Sequence, residues 1–300
     1  MDRLNAMGTF IAVVDAGSFS GAARVLDIGQ SSVSKTVAQL EKHLEVRLLI
    51  RSTRGLTPTE AGQAFYDHAR RSIEEADEAE IAARGAASSL TGLLRVSAAV
   101  TFARLHILPH LGIFMAEHPN LAIDIILDDR NIDLMEEGID VSLRMGNLSD
   151  SNMTARHIAR SPRIVVGTPA YFSRAGIPRV PGDLSEHQAI TYAKIAGDGV
   201  CKFVRDGIEA SVSVSGKLRI NAAEGVRATV LSGLGIAISS EWMFSPELQA
   251  GDVKQVLGDW SLPPVDLWAV FPSGRMVNAK SRAFVEFIEQ LMHSENSKPA

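Results

Sequence analysis

Leu4, Met7, Phe10, Ile11 and Val14 recur at helical spacing and predict a first helix that ends near Asp15-Ala16-Gly17. Ser18 and Ser20 are capping residues for a short second helix built around Ala22, Ala23, Val25 and Leu26. The paired alanines suit two helices that cross steeply with their backbones close together. A tight turn through Asp27-Ile28-Gly29 leads into the run from Gln30 to Glu41, in which Val33, Val37 and Leu40 share one face. Ser32, Ser34, Lys35 and Gln39 are left facing outward, although serine is a poor residue for the middle of a helix. Val46 to Ile50 then reads as extended, Arg51 to Arg54 as a basic turn, and Leu56 to Thr59 as a second extended piece. Together these make a wing beside three helices.

Thr59 follows Pro58 and can cap a longer helix, with Glu60 in its favourable first turn. Along that helix Phe65, Ala69, Ser72, Ala76, Ala79, Ala83, Ala86 and Leu90 alternate gaps of four and three residues, a heptad-like seam rich in alanine. One reading is a dimerising helix; the other is a single amphipathic helix packed on its own domain. Glu74, Glu75, Asp77, Glu78 and Glu80 crowd the neighbouring positions without an adjacent basic partner, which favours pairing. Ala87 to Gly92 reads as a hinge.

From Leu93 the pattern changes. Leu93 to Ala99 predicts a strand, Val100-Thr101-Phe102 opens a helix through Met115, and Leu121 to Leu127 is the next strand. Asn131 to Glu137 predicts a short helix closed by Gly138, before a strand at Val141 to Arg144. A second unit begins near Arg163-Ile164-Val165-Val166-Gly167 and includes Ile190-Thr191-Tyr192 and the stretch from Val212 to Ile220. Asn221 and Glu224 have capping-box spacing for a helix that ends at Gly233, followed by a buried strand at Ile236 to Ser239. Leu267 to Phe271 returns to the first unit, and Ser281 to Met292 is a closing amphipathic helix. Strand–helix alternation implies a mostly parallel sheet, and two lobes joined by two crossovers leave a cleft between them.

The fold class is therefore α/β and multidomain. The winged helix-turn-helix head spans 1–59, the linker and dimerisation helix 60–90, and the two-lobed body 93–292. Lobe one takes 93–161 and 267–292, lobe two takes 162–266, and 293–300 form a flexible tail.

Composition agrees with a globular chain too long for one core: 300 residues, 46% hydrophobic and 22% charged. A net charge of -5 leans against a nucleic-acid partner, but it is unevenly spread. Residues 1–58 carry net +2, and residues 59–90 carry net -4. The single Cys201 rules out a disulfide framework and a thiolate zinc cluster. No apolar run reaches ~18 residues and no basic-then-apolar leader opens the chain, so the expected location is the cytoplasm, with no membrane partner.

The basic segment is also the one with helix-turn-helix order. Gln30, Ser31, Ser32, Ser34, Lys35 and Gln39 lie on the third predicted helix, where short hydroxyls permit close approach to a major groove. Lys35 and Gln39 would reach phosphates or base edges. Arg51, Thr53 and Arg54 suit backbone phosphates or an adjacent minor groove. The alternative is a surface helix with an ordinary polar face.

Asp15-Ala16-Gly17-Ser18-Phe19-Ser20, Ala22-Ala23, Gln30-Ser31-Ser32-Val33-Ser34, Leu40-Glu41, Val46-Arg47-Leu48, Arg51-Ser52-Thr53-Arg54 and Thr57-Pro58-Thr59-Glu60-Ala61-Gly62 resemble the head of a LysR-type transcriptional regulator, in order and without insertion. Two positions depart from the pattern. Gly29 stands where many members place a capping Ser or Thr, and Glu45 stands where a turn Gly is usual. Asp128-Asp129-Arg130, Asp133-Leu134, Glu137-Gly138-Ile139-Asp140, Arg144-Met145-Gly146, Leu231 to Ile236 and Pro272 to Arg275 resemble the effector-binding domain of the same regulators. That domain is similar to type 2 periplasmic binding proteins.

The resemblance implies a sequence-specific DNA-binding regulator that is not an enzyme and needs no cofactor. Its linker helix would pair two heads on an imperfect palindrome in double-stranded promoter DNA, giving a homodimer and then a homotetramer. The protein would be associated with the nucleoid, with RNA polymerase as a further partner. A small-molecule effector, with an organic anion as the favoured type, would sit between the lobes.

Strand-to-helix turns at the carboxyl ends of parallel strands gather backbone N–H groups and the positive end of a helix. Thr101 lies at such a turn in lobe one, Ala223 and Val226 at the corresponding place in lobe two. Thr101 would donate its hydroxyl to a carboxylate, and Phe102 would line an apolar wall. The resemblance adds Gly146, Asn147 and Phe203 as facing walls. Thr101 reads equally as a helix cap and Phe203 as core packing. Arg144 is a charged candidate that would equally pair with Asp128 or Asp140.

Enzyme chemistry has little to rest on. His106 and His110 are a helical turn apart, but no Cys or clear carboxylate completes a metal site, so packing is the simpler reading. Cys201 has no sequence-visible base and reads as an idle thiol. Gly233-Leu234-Gly235 follows a helix and is a poor dinucleotide loop. A solute-binding module without gene control, or an α/β enzyme, would leave Ser31 to Lys35 and the wing unexplained.

Overall fold

The computed structural model describes residues 2–52, 55–84, 90–148, 153–192, 200–272 and 277–296. The chain forms two compact units, Met1–Ser89 and Leu90–Ala300.

In the first unit, α1 (Arg3–Ala16) starts where the Asp2 carboxylate accepts from the Asn5 amide at 3.2 Å and stops at Gly17, whose φ of 62° is left-handed. The Ser18 hydroxyl accepts from the Gly21 amide at 3.0 Å and caps α2 (Phe19–Leu26). α3 (Gln30–Leu44) begins at Gly29 without a side-chain cap. Phe10 and Val13, Ala22 and Ala23, and Val33, Val37 and Leu40 close the core between the three helices. Val25 does not join them: it is 76% exposed.

β1 (Leu49–Ser52) and β2 (Gly55–Pro58) pair antiparallel, with Ile50 opposite Thr57, and form the wing. Its entry is anchored by Glu41, which accepts from the Leu48 amide at 2.7 Å and the Leu49 amide at 3.1 Å. The Thr59 hydroxyl accepts from the Gly62 amide at 2.8 Å and caps α4 (Glu60–Arg84). Gly62 has to be glycine here, because a Cβ would lie 1.9 Å from the Leu48 carbonyl oxygen. The expected seam divides along α4. Phe65 packs edge-on against Phe10 at 5.5 Å and Ala69 is buried, so these two belong to the head's own core. Ser72 and Ala79 are exposed and Ala76 is half-buried. Ala86 and the hinge residues Ala87 to Ser89 lie outside the described residues.

The second unit opens with β3 (Gly92–Ala98) and the short α5 (Val100–Phe102). The predicted single helix is broken. A π turn at Ala103–Ile107 and a 3-10 turn at Leu108–His110 precede α6 (Leu111–Glu117), because Pro109 has no amide to continue the ladder. β4 (Leu121–Leu127) and β5 (Val141–Met145) follow. Between them Asn131 to Glu137 is not a helix but a turn. The Asp133 carboxylate accepts from the Met135 amide at 2.7 Å and the Glu136 amide at 3.1 Å, fixing the turn locally.

β6 (Thr154–Ser161) ends at Pro162, where the chain enters lobe two as β7 (Arg163–Gly167) and α7 (Pro169–Ala175). β8 (Ile190–Tyr192), β9 (Val200–Arg205) and β10 (Ile208–Ser213) come next, then β11 (Leu218–Ile220) and α8 (Ala223–Leu231). The predicted stretch from Val212 to Ile220 thus splits between two strands. β12 (Ala237–Ser240), α9 (Ser245–Ala250) and β13 (Lys254–Val256) complete the lobe. β14 (Val265–Phe271) returns to lobe one, and α10 (Ala279–Asn296) closes it. The helix continues past Met292, so the expected tail from residue 293 starts as helix; residues 297–300 lie outside the described residues.

Lobe one is a five-stranded sheet in the order β4-β3-β5-β14-β6. β3 runs parallel to β4 and β5, but β14 is antiparallel to β5 and to β6 because it arrives from the other lobe. In lobe two β7 is flanked antiparallel by β12 and β13, and β11 pairs parallel with β8. The sheets are mixed rather than mostly parallel. Each lobe has its own core, with Leu94, Phe114, Leu143 and Phe284 in one and Phe172, Leu184, Phe203 and Ile236 in the other. Among the described residues no helix is long and apolar enough to cross a membrane.

Candidate functional site

The outward face of α3 is polar and open. Gln30, Ser31, Ser32, Lys35 and Gln39 are exposed, opposite the buried Val33, Val37 and Leu40. Ser34 is half-buried, tucked closer to the core face than its neighbours. Of the wing positions, Arg51 belongs to β1 opposite Leu56, and Thr53 and Arg54 lie outside the described residues. Tyr66 on α4 hydrogen-bonds Asp15 at the end of α1 and accepts from Arg70 at 3.3 Å, which fixes α4 to the head.

A cavity of about 500 Å³ lies between the two lobes of the second unit, within the size range of small-molecule pockets. Thr101, Phe102, Arg144, Gly146, Asn147, Ala223 and Val226 all line it. Phe203 does not. It is fully buried in β9, inside the lobe-two core with Val214 and Leu262, because alternation along the strand turns it inward.

Thr101 faces the cavity, but its hydroxyl donates to Glu224 Oε2 of lobe two at 3.0 Å. Glu224 also accepts from Arg104 at 3.0 and 3.1 Å and from Arg227 at 3.3 Å, and Arg227 pairs in turn with Glu247. Burial pushes the Glu224 carboxyl up, but the bonds from Arg104 and Thr101 and the charges of Arg104 and Arg227 hold it below the usual glutamate range. The expected capping box at Asn221 is not made: Ala222 is the N-cap residue and contributes no side chain. Glu224 has stronger, charged partners across the lobes. Asp129 supplies the cap instead, accepting from the Ala223 amide at 2.9 Å and from the Val100 amide at 3.1 Å. One carboxylate therefore takes the leading amide of α5 and of α8 together.

Arg144 pairs with neither Asp128 nor Asp140. Asp128 is held by Arg130 at 2.8 Å and Asp140 accepts from the Arg95 amide at 2.8 Å. Arg144 donates to the Ile132 carbonyl at 3.0 Å, and burial pushes its guanidinium down, partly offset by the charge of Asp133. Arg163, which sequence reasoning missed, also lines the cavity. It is half-buried at the head of β7, its guanidinium makes no hydrogen bond or ion pair among the described residues, and burial pushes that guanidinium down. Its only signal in the sequence is a charge placed between Pro162 and the apolar run Ile164-Val165-Val166. Tyr192 lines the same space; burial, with Asp129 and Asp128 adding, pushes its phenol up to about 12, so it stays a donor.

His106 is buried with Nε2 2.8 Å from the Trp242 carbonyl oxygen and its ring stacked on Phe102. This is packing. Burial pushes the Cys201 thiol up against the opposing charge of Arg163, which makes it a poor nucleophile. Among the described residues no three His, Cys, Asp or Glu side chains are grouped to hold a metal ion.

A helix-turn-helix head with a wing, followed by a two-lobed α/β domain around a cavity, defines a DNA-binding regulator with a ligand-sensing domain. Residues 4–63 match the bacterial regulatory helix-turn-helix protein, lysR family, and residues 87–292 match the LysR substrate binding domain: the chain belongs to the LysR family. It is 34% identical to an HTH-type transcriptional regulator of Haemophilus influenzae over 287 residues, 93% of this chain and 97% of the relative. It is also 34% identical to an HTH-type transcriptional repressor of Pseudomonas aeruginosa over 295 residues, 97% of this chain and 92% of that one. Its structure resembles CrgA, a LysR-type transcriptional regulator from Neisseria meningitidis, with a TM-score of 0.61 and 28% identity over 96% of this chain and 98% of that chain. The protein is a DNA-binding transcriptional regulator modulated by an effector, and not an enzyme.

Proposed function

We propose that this regulator reads an imperfect palindrome in double-stranded promoter DNA as a homodimer paired through α4, assembled further into a homotetramer, and that an organic anion bound between its lobes is the effector. The observation that carries the reading is the open polar face of α3 opposite buried Val33, Val37 and Leu40. Gln30, Ser31, Ser32, Ser34, Lys35 and Gln39 face the major groove, while Arg51, Thr53 and Arg54 hold phosphates. Thr101, Phe102, Arg144, Gly146, Asn147, Ala223 and Val226 form the effector walls. The effector favours one degree of lobe closure, which biases promoter engagement and access for RNA polymerase.

A gel shift on the protein's own promoter region, repeated over a range of salt, tests the DNA side. Replacing Arg51 and Arg54 together with alanine removes four cations from the dimer, weakens binding to every sequence and lowers the slope of log affinity against log salt by about 4. Ser32→Ala or Ser34→Ala mainly changes sequence preference. Unchanged binding in all three would mean that another surface meets the DNA.

A further inference from the structure

We propose that Arg163 and Arg144 together hold the charged group of the cavity's ligand, and that this ligand is an organic monoanion whose uncharged body lies toward the starts of α5 and α8. The inference rests on the cavity being the effector site.

The helix starts would ordinarily be the place for an anion, since unsatisfied amides gather there. Here the protein's own carboxylates already occupy them. Asp129 takes the Val100 and Ala223 amides with its two oxygens, and Glu224 takes the Thr101 hydroxyl. A ligand carboxylate brought to the same spot would meet two like charges, with the leading amide of each helix and the Thr101 hydroxyl already taken.

Elsewhere in the cavity the balance is reversed. Of the guanidinium groups lining it, Arg130 is bound by Asp128, Arg144 has one carbonyl partner, and Arg163 has no hydrogen bond or ion pair among the described residues. The neighbouring Cys201 does not compensate, because burial keeps its thiol protonated. A half-buried guanidinium with several unfilled donors is costly to keep, and a carboxylate fills two donors at once. Phe102, Trp242 and Tyr192 line the same cavity, offering ring faces and one protonated phenol to an uncharged body.

The test is thermal unfolding of the full-length protein in sodium formate, exchanged for sodium chloride at constant ionic strength. Formate carries the charged group without a body. In the wild type the melting temperature rises saturably with formate, and Asp129→Asn keeps that rise. Without formate, Arg163→Gln melts no lower than the wild type, since it removes a charge that lacks a partner. In formate its apparent affinity falls at least about tenfold, the loss of one charge-assisted contact. Arg144→Gln falls in the same direction and Arg163→Lys retains most of the response. If Arg163→Gln fails to fold or melts lower without formate, the residue is structural and the proposal falls. If both glutamine variants respond like the wild type while Thr101→Val does not, the anion sits at the helix starts: the proposal fails and the anionic effector survives. No saturable rise in the wild type overturns both.

Discussion

Glu45 ends α3 with φ at 55° and an exposed side chain, a conformation in which an L residue is strained by about 1–2 kcal/mol. The departure from the usual glycine, visible in the sequence, therefore does coincide with left-handed backbone. Glu45→Gly is expected to stabilise the head by about 0.5–1 kcal/mol once the freer unfolded chain is counted. A scan of the full-length protein should show a higher melting temperature for the head; a lower one would mean that the glutamate makes a contact worth more than the strain. Glu41 is the opposite case. Its place after Leu40 was legible only as part of a pattern, whereas its work is to accept from the Leu48 and Leu49 amides at 2.7 and 3.1 Å. Glu41→Ala should cost about 1–3 kcal/mol and speed hydrogen exchange at those two amides ahead of the rest of the head. Slow exchange there would show that the wing entry is held by something else.

Helices and strands were legible because burial repeats along them, and what escaped was whatever partner lies far away in the chain. Asn221 and Glu224 have the spacing of a local cap, yet Glu224 is claimed by Arg104 and Thr101, 120 and 123 residues distant, and the cap comes from Asp129, 94 residues distant. Spacing likewise shows that Phe65 and Ala69 are apolar seam positions but not that α1 covers them. Arg163 was missed for the same reason: nothing beside it shows that the strand opens onto a cavity. The displaced cap has a pH signature. Because the folded carboxyl of Glu224 lies below the usual glutamate range, its contribution is present above that range and is lost as pH falls through the lowered value. The gap in melting temperature between wild type and Glu224→Gln should therefore be open above about pH 5 and close as pH drops below about 4. A gap that stays constant into strong acid would show that the carboxylate's charge contributes nothing to the lobe contact.

The lobes of the second unit have their own cores and are linked by two chain crossings, and Asp129 joins them at their helix starts beside the Glu224 contacts to Thr101 and Arg104. Removing Asp129 leaves both cores untouched while freeing the half-buried Val100 and Ala223 amides, at a cost of about 1 kcal/mol for partly desolvated donors left without an acceptor. Asp129→Ala should accordingly lower the melting temperature only modestly and speed exchange at those two amides, with Asp129→Asn between it and the wild type. The consequence for regulation follows from linkage. An effector moves promoter engagement only through its different affinity for the two degrees of closure, so a substitution that shifts closure should act without any effector present. The apparent affinity of Asp129→Ala for promoter DNA, measured by gel shift in effector-free buffer, is expected to differ from that of the wild type. Faster exchange at Val100 and Ala223 with an unchanged gel shift would separate lobe closure from DNA engagement, and the effector would then have to act through another coordinate, such as the pairing of subunits.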